Sequence, residues 1–288
     1  HRIEDVSQDA EITVEANPND RHKFGDLYRA GVTRLSLGIQ STDDGTLKGL
    51  GRSHTGKDAS GSVEKARKAG FANLNVDAIF GNPGQTVSQW RDDLTDLIAL
   101  GPDHISIYGL TIEPRTRFAK QQSGGQLALP DENTQSAMYD IALELTEKAG
   151  ILQYEISNFA KPGHESRHNL SCWRGDTYAG FGLSAHSYSG NWRSWNVRNM
   201  NAYLDRIEGG ETAEEGSERI ADETNRIERI MLGLRTRDGI DPSLLDQDQT
   251  STRLLSENLL EKDGTRLRLT RRGKHVADLV CAELVRNL

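Results

Sequence analysis

Apolar and polar positions alternate with a period of two in Glu11–Ala16, Arg34–Gln40, Leu74–Phe80 and His104–Leu110. That period predicts strands. Between them apolar positions recur every three or four residues, which predicts helices. Asp20–Ala30 carries Phe24, Leu27 and Tyr28 on one side, and Asp58–Ala69 ends at Gly70. Thr86–Leu100 places Trp90, Leu94, Leu97 and Ile98 on one stripe behind Thr86, a capping residue. Asp131–Ala149 repeats the pattern with Met138, Ile141 and Leu145 and stops at Gly150, and a fifth strand is expected over Gln153–Asn158. Strand and helix in alternation imply βαβ units and a parallel sheet.

The strands have two unlike faces. One carries Ile12, Val14, Leu35, Leu37, Ile39, Val76, Ala78, Phe80, Ile105 and Ile107; the other carries Thr13, Glu15, Ser36, Gln40, Asn75, Asp77, Ser106 and Tyr108. Parallel strands are usually covered on both faces and read as unbroken apolar runs. A closed eight-stranded barrel is filled with branched apolar side chains. A polar face therefore points to an open or partial barrel around a large polar ligand. An antiparallel sheet with one wet face would give the same alternation, but the intervening helices weigh against it.

Beyond this region the pattern changes. Gly190 to Gly216 reads as loop with one short helix around Tyr203–Ile207. Ala221–Leu234 is a helix with Ile227, Ile230, Met231 and Leu234 on one face, and Leu254–Leu260 reads as another. Lys262-Asp263-Gly264-Thr265 is a hairpin turn leading into Arg266–Thr270, and Gly273–Leu284 is a last helix. The expected division is a barrel over residues 1–160, a connecting segment over 161–218 and a small winged-helix-like unit over 219–288.

Composition narrows the class. With 35% hydrophobic and 27% charged residues the chain is that of an ordinary globular protein. No run approaches the ~20 apolar residues of a membrane span. No export signal is visible, so the expected location is cytoplasmic. The net charge of -8 argues against a nucleic-acid surface. Lys262, Arg266, Arg268, Arg271, Arg272 and Lys274 do cluster at the hairpin, yet no aromatic or amide reading residues accompany them. The two cysteines, Cys172 and Cys281, form no Cys-x-x-Cys pattern. The opening His1-Arg2-Ile3 reads as the continuation of a longer chain.

Two places carry candidate chemistry. On the polar face Glu15, Gln40 and Asp77 come from successive strands, a set suited to a ligand with an amine and a ribose. Arg52 and His54, in the loop after the second strand, could reach a carboxylate. The turn Gly81-Asn82-Pro83-Gly84-Gln85-Thr86 could offer backbone amides to an anion, although a plain strand-to-helix turn explains it as well. The second place is Ser166-Arg167-His168-Asn169-Leu170-Ser171-Cys172-Trp173, flanked by His164 and His186. It gathers possible metal or haem ligands and an indole.

The segments Glu11–Pro18, Arg34–Ser41, Leu50–His54, Asn75–Thr86 and Tyr108–Pro114 together resemble the radical S-adenosylmethionine family that contains oxygen-independent coproporphyrinogen III oxidase and the HemW haem chaperones. The resemblance covers nearly the whole chain. It implies an α/β fold: a partial (β/α)6, TIM-like barrel lacking its first strands here, plus the small carboxy-terminal domain. It implies S-adenosylmethionine on a [4Fe-4S] cluster, with Glu15 at the methionyl amine, Arg52 at its carboxylate and Gln40 and Asp77 on the ribose side. The family's Cys-x3-Cys-x2-Cys cluster motif is absent from this sequence. Two strands and the cluster loop are thus expected ahead of His1, with an exposed sheet edge at Glu11–Ala16.

Two subgroups share the barrel. One decarboxylates coproporphyrinogen III; the other binds haem and passes it to an acceptor protein. The chaperone subgroup is marked by His-Asn-x-x-Tyr-Trp. His168, Asn169 and Trp173 match it, while Cys172 stands where tyrosine is expected. Imidazole ligates haem iron and an indole packs on porphyrin. If the segment is helical, His168 and Cys172 share one face, so they could share a metal but not sandwich a haem. The resemblance favours the chaperone, with His168 as possible iron ligand, and leaves His164 and His186 as ordinary loop residues.

Overall fold

Four parallel strands and the helices between them realise the expected alternation. The structure, a computed structural model, describes residues 6–246 and 249–286; the opening His1-Arg2-Ile3 lies outside them. Contacts divide the chain into two units, His1–Glu165 and Ser166–Leu288.

The first unit runs β1 (Thr13–Ala16), α1 (Phe24–Arg29), β2 (Arg34–Gln40), α2 (Asp44–Gly49), α3 (Gly56–Ala69), β3 (Asn73–Phe80), α4 (Val87–Ala99), β4 (His104–Gly109), α5 (Arg117–Ser123), α6 (Glu132–Lys148), β5 (Leu152–Gln153) and β6 (Asn158–Ala160). The six strands form one sheet in the order β1-β2-β3-β4-β6-β5. β1 to β4 pair in parallel, and β6 pairs antiparallel with both β4 and β5. The described strands do not close a barrel, and β1 lies at the sheet edge.

The apolar face carries the core. Leu35, Leu37, Ile39, Leu74, Val76, Ala78, Ile105 and Ile107 are buried with Phe24 and with Ala59, Val63 and Ala66 of α3. Trp90, Leu94 and Leu97 of α4 and Met138, Ile141 and Ala142 of α6 complete it. The Trp90 indole donates to the Met138 carbonyl at 2.8 Å, so α4 and α6 are joined by a buried hydrogen bond as well as by packing. Thr86 and Gln89 form a reciprocal capping box that starts α4. Thr55 and Asp58 do the same for α3. Asp93 of α4 accepts from Ser41 Oγ, Thr42 N and Thr42 Oγ1, each at 2.6 Å, and so ties down the chain leaving β2.

Several elements differ from expectation. Asp20–Ala30 is a 3-10 turn, Pro18–Lys23, followed by the short α1. The expected fifth strand Gln153–Asn158 is instead a tight reversal between β5 and β6, because the Tyr154 ring is fully buried and Tyr154 N and Asn158 O close the turn at 3.1 Å.

The second unit runs α7 (Arg167–Arg174), β7 (His186–Ser189), β8 (Trp192–Asn196), α8 (Met200–Glu208), β9 (Glu214–Arg219), α9 (Asp222–Leu234), α10 (Gln249–Ser256), β10 (Leu260–Asp263), β11 (Arg266–Leu269), α11 (Arg271–His275) and α12 (Ala277–Val285). The stretch read as loop, Gly190 to Gly216, contributes two strands of an antiparallel sheet, β7-β8-β9. Gly190 at φ 61 lets Gly190-Asn191 turn the chain tightly between the Ser189 and Trp192 pair. His186 is therefore a strand residue. The helix read at Leu254–Leu260 lies at Gln249–Ser256, since Asn258 adopts φ 57 and ends it before β10. The last helix is two pieces, α11 and α12, broken at Val276.

Candidate functional site

The register of the first unit builds the polar face row by row. Glu15 of β1 pairs with Ser36 of β2, Ser36 with Asn75 of β3, and Asn75 with His104 of β4. The next row holds Asp77 beside Ser106. The Asn75 amide joins the rows. Its Nδ2 donates to Ser36 Oγ and Asp77 Oδ1, both at 2.7 Å. Its Oδ1 accepts from His104 Nδ1 at 2.6 Å and Ser106 Oγ at 3.2 Å. Every donor and acceptor of the amide is thereby used.

This network also assigns the His104 tautomer. With Nδ1 donating to Asn75, Nε2 accepts from the Tyr154 hydroxyl at 2.8 Å. Burial pulls the His104 pKa well below the usual imidazole range, and the charges of Arg34 and His164 act in the same direction. The ring is neutral. Asp77 shifts upward: desolvation dominates and the Glu15 carboxylate adds to it, while hydrogen bonds from Asn75 and Ser106 oppose it. Glu155, buried under the same face, is also raised by desolvation. Carboxyls with raised pKa values beside a neutral histidine suit a site where a cationic ligand group replaces water.

Gly38 provides the space. A Cβ there would lie 3.2 Å from Gln40 Nε2, 3.8 Å from Ala16 O and 3.9 Å from Asn17 Oδ1. The register slips between Leu37 and Gln40, and Gln40 takes φ 71, so its amide lies next to Gly38. Arg52 reaches the same place through Nη1, which donates to Asn17 Oδ1 at 3.3 Å. The structure thus brings Arg52 and Gln40 together near Asn17 and Gly38, and Glu15 close enough to Asp77 for its charge to act on that carboxyl. The donors and acceptors of these residues fit an amino-acid headgroup and a ribose.

Two expected contributors do not take part. His54 is buried, and its Nε2 is engaged with the Ile39 carbonyl at 2.9 Å, so it supports the loop and cannot reach a ligand carboxylate. The amides of the Gly81–Thr86 turn are spent internally. Gly84 N donates to Ala128 O, Gln85 N to Asn82 O, Asn82 N to Gln85 Oε1 and Thr86 N to Gln89 Oε1. The turn is a helix start, not an anion site. Arg34 and Tyr154 were not anticipated; Arg34 is the first residue of β2 with its side chain buried, and only the burial of a charged strand residue would have marked it.

The second candidate lies in the other unit, on α7. Ser166 caps the helix by accepting from Asn169 N at 3.3 Å, and Gly175 ends it in the left-handed conformation. His168 is exposed, with Nε2 3.8 Å from Cys172 Sγ one turn along. Partial burial pushes the Cys172 thiol up, and the Asp176 carboxylate adds to this. Asn169 and Trp173, also four apart, are partly buried on another side of the helix. His164 and His186 do not join them in a metal site: among the described residues no three His, Cys, Asp or Glu side chains are grouped to hold an ion. Cys172 on α7 and the buried Cys281 on α12 do not fit a [4Fe-4S] cluster, which needs three or four thiolates together. The exposed imidazole of His168 fits the chemistry of a haem-iron ligand.

Comparison with known proteins places the chain in a family. Residues 1–97 match the Radical SAM superfamily and residues 222–276 the HemN C-terminal domain. The chain is 40% identical over 233 residues to the heme chaperone HemW of Bacillus subtilis, covering 80% of this chain and 62% of that protein. It is 34% identical over 284 residues to the heme chaperone HemW of Mycobacterium tuberculosis, covering 97% of this chain and 73% of that protein. The backbone matches coproporphyrinogen III oxidase HemN from Escherichia coli with a TM-score of 0.80 at 21% identity, covering 97% of this chain and 70% of that one, which is a likeness of fold. Among the described residues no helix is long and apolar enough to cross a membrane. The chain belongs to the HemW family of radical SAM proteins.

Proposed function

We propose that the chain binds haem as cargo and passes it to an acceptor protein in the cytoplasm. The observation that carries this is the exposed His168 imidazole on α7, in a chain similar along 284 residues to a heme chaperone. His168 is the iron ligand, since an exposed imidazole free to leave its weak thiol contact is a ready ligand to haem iron. Asn169 contributes its backbone N–H to the helix start, and Trp173 offers an apolar face to the ring. Cys172 is a neighbour of the ligand and not a ligand itself.

The polar face of the first unit holds S-adenosylmethionine in this reading. Glu15 takes the methionyl amine, Arg52 the carboxylate, and Gln40 and Asp77 the ribose hydroxyls. S-adenosylmethionine supplies radical or regulatory chemistry only together with a [4Fe-4S] cluster, whose ligands are not among this chain's cysteines. The residues of the chain bind and orient; the elevated Asp77 pKa relaxes when the ligand's positive charge arrives. The three-part division of the chain, with a barrel at 1–160, the haem motif within 161–218 and a winged-helix-like end at 219–288, is kept as a functional division.

Mixing the haem-loaded chain with a haem-free acceptor protein tests the proposal. Haem should leave the chain and appear on the acceptor, and coproporphyrinogen III should not be decarboxylated. Turnover of coproporphyrinogen III without haem uptake would replace the chaperone reading with the oxidase one.

A further inference from the structure

The sequence motif on α7 does not point one way. His168 and Trp173 are five residues apart, about 140° around the helix, so they face different surroundings. On the Trp173 side the second unit has a cavity of ≈ 270 Å³ that is open to solvent. Its walls are Trp173, Leu232, Ile240 and Leu244, with the guanidinium groups of Arg229 and Arg266 at its lining. An aromatic and aliphatic slot edged by arginines is amphipathic in a specific sense. It accepts a flat apolar body and holds an anionic group at its margin.

The charges in the cavity are not balanced internally. Arg174, Arg229 and Arg266 line it against Asp238 and Asp241. Arg174 Nη2 pairs with Asp238 Oδ2 at 3.1 Å. Arg266 spends Nε on the Asp238 carbonyl at 3.2 Å and one Nη2 hydrogen on the Gly239 carbonyl at 2.7 Å, which leaves Nη1. Arg229 is exposed on α9, and its charge and that of Arg266 act on the Asp241 carboxylate, which Ser243 hydrogen bonds chiefly hold below its usual range; three guanidinium groups still face two carboxylates. A cationic cavity in a chain of net charge -8 is not a consequence of composition.

The floor of the cavity is held in place. Ile240 and Leu267 exchange two backbone hydrogen bonds, of 2.8 and 2.9 Å, that fix the loop after α9 onto β11. Gly239 permits this approach. It takes φ 63, and a Cβ there would lie 2.3 Å from Leu267 O. The loop carrying Asp238 to Asp241 is thus attached to a hairpin strand, and the slot exists before any ligand enters.

We propose that this cavity docks the carboxylate-bearing edge of a planar tetrapyrrole, with Trp173 against the ring and Arg229 and Arg266 on its carboxylates. The inference rests on the haem reading above and adds a second point of attachment. His168 recognises the metal; the arginine-edged slot recognises the acid groups. The two contributions are carried by different residues and are separable by substitution. Metal-free protoporphyrin, which carries the same carboxylates, also enters the slot.

The test compares haem with its dimethyl ester, in which both carboxylates are masked, by titrating the chain and following the Soret band. The wild type should bind haem about tenfold more tightly than the ester, the effect of one charge-assisted hydrogen bond of about 1.4 kcal/mol. Arg229→Gln should remove most of that preference while leaving ester binding unchanged, and Arg229→Lys should restore part of it. His168→Ala should change the band and weaken haem and ester alike, leaving their ratio intact. Protoporphyrin and its dimethyl ester, followed by fluorescence, should show the same ratio. Equal binding of haem and ester by the wild type overturns the proposal without recourse to any variant, and leaves haem binding standing. A preference that persists in Arg229→Gln together with Arg266→Gln also overturns it. Binding of neither haem nor ester overturns the haem reading and this inference with it.

Discussion

Cys172 lies one turn beyond His168, at the position where the resembling haem motif has a tyrosine, with Sγ 3.8 Å from the imidazole Nε2. A thiolate there would compete for iron; a thiol would not, because the thiolate is the metal-binding form. Burial and Asp176 both push the Cys172 pKa up, so the thiol form prevails at neutral pH. Cys172→Ala should therefore leave the Soret band of the haem-loaded chain where it is. A band displaced by that substitution would place sulfur in the iron's coordination shell. His104 makes a second prediction. Its folded pKa is below the unfolded value of about 6.5. As pH falls through that value the unfolded chain takes up a proton that the folded chain refuses, so stability is complete above about 6.5 and is lost below it. Asp77 and Glu155, with raised values, act in the opposite sense at their own pH range, so the comparison is between wild type and variant. His104→Gln should melt with a flatter dependence on pH between about 7.5 and about 5 than the wild type. An unchanged slope would mean that the ring is protonated in the folded chain.

At the scale of elements, α4 shows how much the local pattern decides. Its stripe Trp90, Leu94 and Leu97 is buried as expected, and its first turn is closed by the Thr86 and Gln89 capping box. Thr86→Ala should cost about 1 kcal/mol, and Leu97→Ala about 2–5 kcal/mol, both read from urea unfolding. A smaller loss at Leu97 than at Thr86 would contradict the packing described. Such elements were legible because their buried side is mainly apolar, although in α4 it also holds Asp93. The sheet β7-β8-β9 was not, because its strands bury little: β9 is almost entirely exposed, and Arg193 of β8 holds it through Glu218 at 3.3 Å while reaching Glu228 of α9 at 2.8 Å. Its one local signal is Gly190-Asn191 between alternating residues. The same contrast applies to the sites. Glu15 and Asp77 could be read as one set because strand parity puts them on one face, whereas the register slip pairs Gln40 with Ala78 and its place does not follow from parity. His54 looked equivalent to Arg52 until burial separated them, and burial has no signature in spacing. Arg229 and Arg266 belong to different elements, α9 and β11, and only folding brings them to Trp173.

At the scale of the whole chain, the family assignment and the residues present make different demands. Radical SAM chemistry needs a cluster, and Cys172 and Cys281 cannot supply its ligands. Reconstitution of the chain with iron and sulfide should give no stoichiometric, site-bound [4Fe-4S] spectrum, and such a spectrum would show that other residues serve as ligands. β1, at the edge of the described sheet and preceded by Ile12, which is 38% accessible, should favour association between copies. Light scattering should find species larger than one chain, and Ile12→Lys should reduce them. The second unit is independent of both demands, since His168 and Trp173 reside on one capped helix. The most direct test of the haem-carrier account is a haem titration of the wild type and His168→Ala, followed by the Soret band. The account predicts a saturable, shifted band in the wild type and, in the variant, a different band and binding weaker by about tenfold or more. An identical band and isotherm in both proteins would contradict it.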